Sequence, residues 1–112
     1  MQRVVVESPY AGDIERNVEY ARACMHDCLM RGEAPYASHL LYTQPGVLDD
    51  NVADERQHGI NAGFAWRDAS DKTVVYIDLG VTKGMEYGIA HAKFTNHPIE
   101  ERRLGGKWVQ NV

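Results

Sequence analysis

A carboxylate that follows a glycine-bounded turn is the most chemically suggestive feature of this 112-residue sequence. Glu86 comes just after Gly80-Val81-Thr82-Lys83-Gly84 and falls in the first turn of a helix expected over Met85 to Phe94. The partial positive charge of a helix N-terminus favours an ionised carboxylate there. Aimed across a sheet edge, such a group acts as a nucleophile or base. The same position also suits an acid that only stabilises its own helix start. Asp78, Gly80, Gly84 and Met85 surround it and are candidate ligand contacts. A second candidate is Ser8-Pro9-Tyr10-Ala11-Gly12-Asp13, between an expected strand and an expected helix. Free N–H groups at a helix start can hold a phosphate, with Ser8 and Tyr10 adding hydroxyls. The alternative is a tight turn in which Asp13 is an N-cap. The segment matches neither the dinucleotide fingerprint nor the Walker loop. A third group comprises His39 and Tyr42, then Asp49, Asp50, Glu55 and Arg56. It reads either as an anion contact through Arg56 or as a solvated helix start with local ion pairs.

Other chemistries are excluded by composition and spacing. The five histidines (His26, His39, His58, His91, His97) form no His-x-x-x-His or Cys/His pattern, so no metal is predicted. Cys24 and Cys28 lie one helical turn apart and read as two small buried thiols. No cofactor is predicted. The net charge is −4 and no Lys/Arg block exists, which argues against duplex nucleic acid as a partner. There is no 18-residue apolar run, so no membrane span is expected. The run Val4-Val5-Val6 near the N-terminus is too short for a signal peptide and reads better as a strand, which suggests a cytoplasmic protein.

The elements that must position these residues follow from periodicity. Arg3 to Glu7 reads as a buried strand. Ile14, Val18, Ala21, Met25 and Leu29 mark one helical face, with Gly32 as the stop. Glu33 to Ser38 reads as a second strand and His39 to Asn51 as a loop. A second helix is expected from about Val52 to Asp68, with Ile60 and Phe64 inward. Gly59 and Gly63 on that helix each cost about 1 kcal/mol relative to Ala, which points to close packing by the sheet or a ligand. Thr73 to Ile77 is the strongest β-run, and Pro98 to Arg103 a final short strand. The order β-α-β-α-β-α-β predicts one small α/β domain over residues 1–112. Its architecture should be Rossmann-like and three-layered, with a mainly parallel sheet of about four strands. Right-handed crossovers then bring the βα loops to one edge, where such sheets bind ligands.

Together these pieces resemble a known superfamily. Gly84-Met85-Glu86-Tyr87-Gly88-Ile89-Ala90 resembles the Gly-x-Glu-x-Gly-x-Ala signature of the nucleoside 2-deoxyribosyltransferases, which include the 2′-deoxynucleoside 5′-phosphate N-hydrolases. Ser8 to Asp13, with Asn17 one turn later, resembles their first βα loop. Leu48-Asp49-Asp50 and Glu55-Arg56-x-x-Gly59-Ile60 resemble a short branch common in bacteria and their phages. The resemblance spans roughly Val4 to Ala92. It implies a flavodoxin-like fold and cleavage of an N-glycosidic bond. Glu86 would attack the anomeric carbon and form a glycosyl-enzyme intermediate, the retaining logic of glycoside cleavage. Tyr10 would place the sugar or the glutamate. Backbone N–H groups near Gly12, with Ser8, would hold a 5′-phosphate. The aspartate that these enzymes carry before their third strand has no counterpart in Gly59-Ile60-Asn61-Ala62-Gly63. The proton donor to the leaving base is therefore unassigned, with Asp50 and Asp78 as candidates.

The expected ligand is a small nucleoside or nucleotide. An enzyme acting on the N-glycosidic bond is the first reading, and a binding protein that senses or sequesters a nucleotide or an ADP-ribose-like signal is its rival. A third is a structural domain in which Glu86 only caps a helix. A homodimer or higher homo-oligomer is expected, with Trp66, Phe94 and Trp108 as candidate contacts.

Overall fold

The computed structural model describes residues 1–108. Strand β1 (Arg3–Glu7) leads into helix α1 (Ile14–Met30), strand β2 (Ala34–Tyr36) and a short helix α2 (Ser38–Leu41). Helix α3 (Ala53–Asp68), strand β3 (Lys72–Tyr76), helix α4 (Lys83–Phe94) and strand β4 (Ile99–Arg102) follow, and a 3-10 turn spans Gly105–Lys107. The sheet order is β2-β1-β3-β4 and every pair is parallel. This is the α/β, flavodoxin-like arrangement expected from the sequence.

The strand period of two divides the core into two layers. Val4 and Val6 of β1 and Val74 and Tyr76 of β3 pack with Tyr20, Cys24 and Cys28 of α1. Glu7 and Thr73 point the other way, towards Gly88 of α4 and Arg67 of α3. The strands read as near-continuous apolar runs because both faces are covered.

Local chemistry sets the helix ends. Asp13 is the N-cap of α1, and its carboxylate accepts from Arg16 N at 3.2 Å. Gly32 takes a φ of +77° just past the helix, a left-handed conformation that side chains disfavour. The stretch expected as loop from His39 contains the single turn α2. That turn explains the glycines of α3: a Cβ at Gly63 would lie 3.2 Å from Ser38 Oγ, and one at Gly59 would lie 3.3 Å from Leu48 Cδ1. Close packing by α2 and its loop, rather than by the sheet, is their physical reason.

A buried ionic cluster ties the far edge of the sheet together. Both Arg102 terminal nitrogens donate to the Glu33 carboxylate at 2.7 Å, and Lys72 Nζ lies 3.3 Å from Glu33. Tyr76 donates to Asp27 at 2.7 Å. These contacts join β4 to the α1–β2 connection, where apolar packing alone would not fix the register of a four-residue edge strand. Among the described residues, no helix is long and apolar enough to cross a membrane.

Candidate functional site

Connections leave β1 in both directions: α1 carries the chain to β2, and the later crossovers lead out to β3 and β4. The strand order therefore reverses between β1 and β3, and a crevice opens beyond their C-terminal ends. A cavity of about 480 Å³ lies there, within the range of small-molecule sites. Ser8, Tyr10 and Ala11 form one wall, and His39, Tyr42 and Asp50 another. Arg56 and Ile60 come from α3. Thr82, Lys83, Gly84, Met85 and Tyr87 come from the start of α4, and Glu7 closes the floor.

The floor is a buried charge pair. Glu7 is the last residue of β1, and its carboxylate accepts a short hydrogen bond from Arg67. The Arg67 side chain is 3% exposed and that of Glu7 15%. Arg67 also donates to Thr73 Oγ1 at 3.2 Å and lies 3.3 Å from His91 Nδ1. His91 in turn stacks on Phe64 at 3.8 Å. Gly88 makes room for the pair, because a Cβ there would overlap the Glu7 carboxylate. Burial pushes the Glu7 carboxyl up to about 7, against the pull of Arg67 in the opposite direction.

The first wall is fixed from behind by Asn17 and braced against the second wall by Ser8 and His39. Asn17 Nδ2 donates to the carbonyls of Tyr10 and Ala11 at 2.9 and 3.1 Å, which fixes the loop after β1. Ser8 Oγ lies 2.6 Å from His39 Nε2. Desolvation in the second wall pushes His39 down to about 4, so the imidazole is neutral at physiological pH. Ser8 and His39 therefore present a fixed, uncharged hydrogen-bonding pair. At the rim, Arg56 Nε lies 3.9 Å from Asp50, and Asp49 N donates to Glu55 at 3.2 Å. Trp66 donates to Tyr42 OH at 3.1 Å.

Of the residues singled out from the sequence, Ser8, Tyr10, His39, Asp50, Arg56, Gly84 and Met85 line the cavity. Pro9, Gly12, Asp13, Asp78, Gly80 and Glu86 are not among its lining residues. Gly12 and Asp13 are exposed, and the Asp13 carboxylate already occupies the α1 start, where a phosphate was expected. Asp78 accepts from Tyr20 OH at 2.5 Å and from the Leu104 and Gly105 N–H groups at 2.9 and 3.0 Å. Burial raises its pKa, but these donors outweigh burial and hold it below the ordinary value. It anchors the segment after β4 on the α1 side of the sheet. Gly80 closes a turn with φ of +85°, and its N–H donates to Ile77 O. Glu86 is exposed, whereas its neighbours Met85 and Tyr87 line the cavity. Gly88 faces the floor, and two residues along a helix is a rotation of about 200°, so Glu86 faces the other way. Trp108, a candidate subunit contact, packs edge-on against Tyr20 at 5.0 Å within its own chain. Trp66 and Phe94 remain exposed, at 54% and 88%.

The sequence reading missed the floor. Glu7 ends an apolar strand at the ligand edge, and Arg67 continues the inward face of α3 marked by Ile60 and Phe64. A charge on each of two buried faces was the available signal. Lys83 was read only as part of a turn, yet it lines the cavity from the first residue of α4.

No curated protein matches the sequence. Among solved structures, a 2-deoxyribosyltransferase from the psychrotolerant bacterium Bacillus psychrosaccharolyticus superposes with a TM-score of 0.63 at 14% identity, over 96% of this chain and 77% of that chain. At that identity the likeness concerns the fold. The model of the family described as Domain of unknown function (DUF7768) matches residues 2–102, and the chain belongs to that family.

Proposed function

We propose that the cavity binds a nucleoside or nucleotide and that the protein acts on its N-glycosidic bond, as an N-glycosidase or a deoxyribosyltransferase. One observation carries the reading: the loop after β1 and the start of α4 meet over a cavity where the strand order reverses. These are the two segments whose residues resemble the deoxyribosyltransferase superfamily. The fold likeness to a 2-deoxyribosyltransferase supports the same reading. Ser8 and Tyr10 supply hydroxyls for the sugar, and the Tyr42 and Tyr87 rings supply apolar surface for the base. Arg56 and Lys83 supply positive charge for a phosphate. Local donors are needed because the net charge of −4 does not steer an anion inward. In this reading Glu86 attacks the anomeric carbon, as the resemblance implies, and water or a second nucleoside base completes the reaction. Because its carboxylate faces solvent, the attack requires the first turn of α4 to reorient over the bound ligand. Two-fold association would cover the exposed Trp66 or Phe94.

The exposure of Glu86 favours a second reading, a binding protein with no turnover. Release of free base over a panel of nucleosides and their 5′-monophosphates decides between the two. The enzyme reading expects release by the parent protein and its loss in Glu86→Gln, which retains shape but not nucleophilicity. Binding by calorimetry without any release supports the second reading. Undiminished release by the mutant rejects the role of Glu86.

A further inference from the structure

Cleavage of an N-glycosidic bond leaves an electron pair on the departing base, and that base must be neutralised. Neither candidate from the sequence is well suited. Asp78 is committed to the segment after β4, and the Asp50 side chain is 36% exposed at the rim beside Arg56. We propose that Glu7 is the proton donor to the leaving base, with Arg67 as the residue that positions it. This inference rests on the N-glycosidic reading of the same cavity.

The geometry supports the assignment in three ways. Glu7 is the deepest carboxyl lining the cavity, and what remains of its exposure opens on the cavity. It is fixed from behind: Arg67 holds one oxygen, and the missing side chain of Gly88 gives the carboxyl its place. Arg67 is itself held by Thr73 and His91, so the pair is built into the fold. A carboxyl that titrates close to the working pH is the best compromise between holding a proton and releasing it. In the step, the C1′–N bond breaks with its electron pair passing to the base. The Glu7 proton moves to a ring nitrogen of that base. C1′ gains a bond to the oxygen of the attacking carboxylate or water. The Glu7 carboxylate left behind is stabilised by Arg67 and takes a proton back from water.

The groups facing Glu7 are Arg67 from α3, with His91 of α4 behind it, and Ser8 with its partner His39. Thr73 lies beneath on β3, and Asp50 and Lys83 lie across the cavity. Burial pushes His39 down to about 4 and holds His91 below the ordinary histidine value, the opposite direction from Glu7. A basic limb near pH 7 that disappears in Glu7→Gln and persists in His91→Asn reports Glu7.

The test compares parent and Glu7→Gln on two deoxynucleosides. One carries an ordinary purine, which leaves only when protonated. The other carries 7-methylguanine, already cationic, which leaves without a proton. We expect Glu7→Gln to lower kcat/KM by about 100-fold or more on the ordinary purine, the usual worth of a positioned acid. The rate on the cationic base should be little changed. The parent's decline in rate above about pH 7 should vanish in the mutant. Equal losses on both substrates overturn the assignment while leaving the function intact. A parent silent on the entire panel overturns the function itself, and this role with it. Carbon-13 NMR of labelled glutamate in the parent provides a readout that needs no mutant. A Glu7 carboxyl titrating near neutrality is expected, and one ionised throughout above pH 5 refutes the role.

Discussion

Replacing Gly88 by alanine sets two physical effects against each other. In an ordinary helix interior the change is favourable by about 1 kcal/mol, because glycine carries the larger backbone entropy cost. Here the new Cβ would overlap the Glu7 carboxylate. The carboxylate is the far end of a flexible side chain, so it can swing out into the cavity. That motion breaks its bond to Arg67, whose side chain is 3% exposed and has no route to water. Leaving one member of a buried pair uncompensated costs about 3–5 kcal/mol. Thr73 and His91 still hold Arg67, which places the loss at the low end of that range. The net expectation is a destabilisation of about 2–3 kcal/mol, or a fall in Tm of roughly 10 °C for a domain of this size. Urea denaturation and a thermal scan at about pH 8, where Glu7 is ionised and the pair is charged, read it directly. Gly84→Ala is the control, since a Cβ there meets nothing closer than Thr82 Oγ1 at 4.0 Å. It should be neutral or slightly stabilising. A Gly88→Ala protein as stable as its parent would mean that the Glu7–Arg67 pair is not formed as described, and the reasoning about the cavity floor would fall.

Other expectations follow from the same structure. Arg102→Leu removes both bonds to Glu33 and leaves that buried carboxylate with Lys72 alone, so unfolding in urea should show a loss of about 3 kcal/mol. A loss under about 1 kcal/mol would show that the cluster contributes no stability. His39 is depressed to about 4 from its ordinary 6.5, so between those values the unfolded chain binds more protons than the folded one. Its contribution is complete above pH 6.5 and is lost as pH falls towards 4. Glu7 has the opposite sign: with its folded pKa raised to about 7, its contribution is complete below the unfolded value of 4.5 and is lost as pH rises through 7. The two slopes oppose each other in the overlapping window. Glu7→Gln should therefore steepen the acid-side fall of Tm relative to the parent, and His39→Asn should flatten it. Parallel curves for all three proteins would refute both shifts.

The alternation of strand and helix was legible because each element carries its own period. Val4 to Val6 and Thr73 to Tyr76 are unbroken apolar or β-branched runs. The helical period of α1 was legible although its inward face was misplaced: Ile14 and Leu29 are exposed, while Asn17, Tyr20, Cys24 and Asp27 are buried. The polar ones are buried because loop carbonyls, Asp78 and Tyr76 give them partners. The short helix α2 was not legible: four residues, Ser38-His39-Leu40-Leu41, cannot display a helical period, and Ala37 offers no side-chain cap. Its effect was nonetheless visible in Gly59 and Gly63, whose cost in a helix demanded a close neighbour. At the site, the loop after β1 and the start of α4 were found because turn residues mark them. Glu7 and Arg67 were not, because the signal each carries, a charge on a buried face, does not say what it pairs with. Each partner lies 60 residues away, and only the crossover between β1 and β3 brings the two together.

The packing around α4 changes what the Gly84 to Ala90 motif means in this chain. Its glutamate and its second glycine lie on opposite sides of α4, and they answer to different constraints. Gly88 is required by packing, since the floor pair occupies the space its side chain would need. Glu86 is exposed in the first turn of α4, where the helix dipole suffices to accommodate a carboxylate. Packing therefore accounts for the glycine whether or not any bond is broken in the cavity, and it leaves Glu86 unexplained by structure beyond that small electrostatic gain. Substituting Glu86 should cost at most about 1 kcal/mol of stability. Thermal denaturation of Glu86→Gln beside the base-release assay separates its two possible roles. A stable mutant that no longer releases base assigns the residue to chemistry. A mutant that loses several kcal/mol would show that Glu86 has structural contacts, and the catalytic assignment would lose its physical basis.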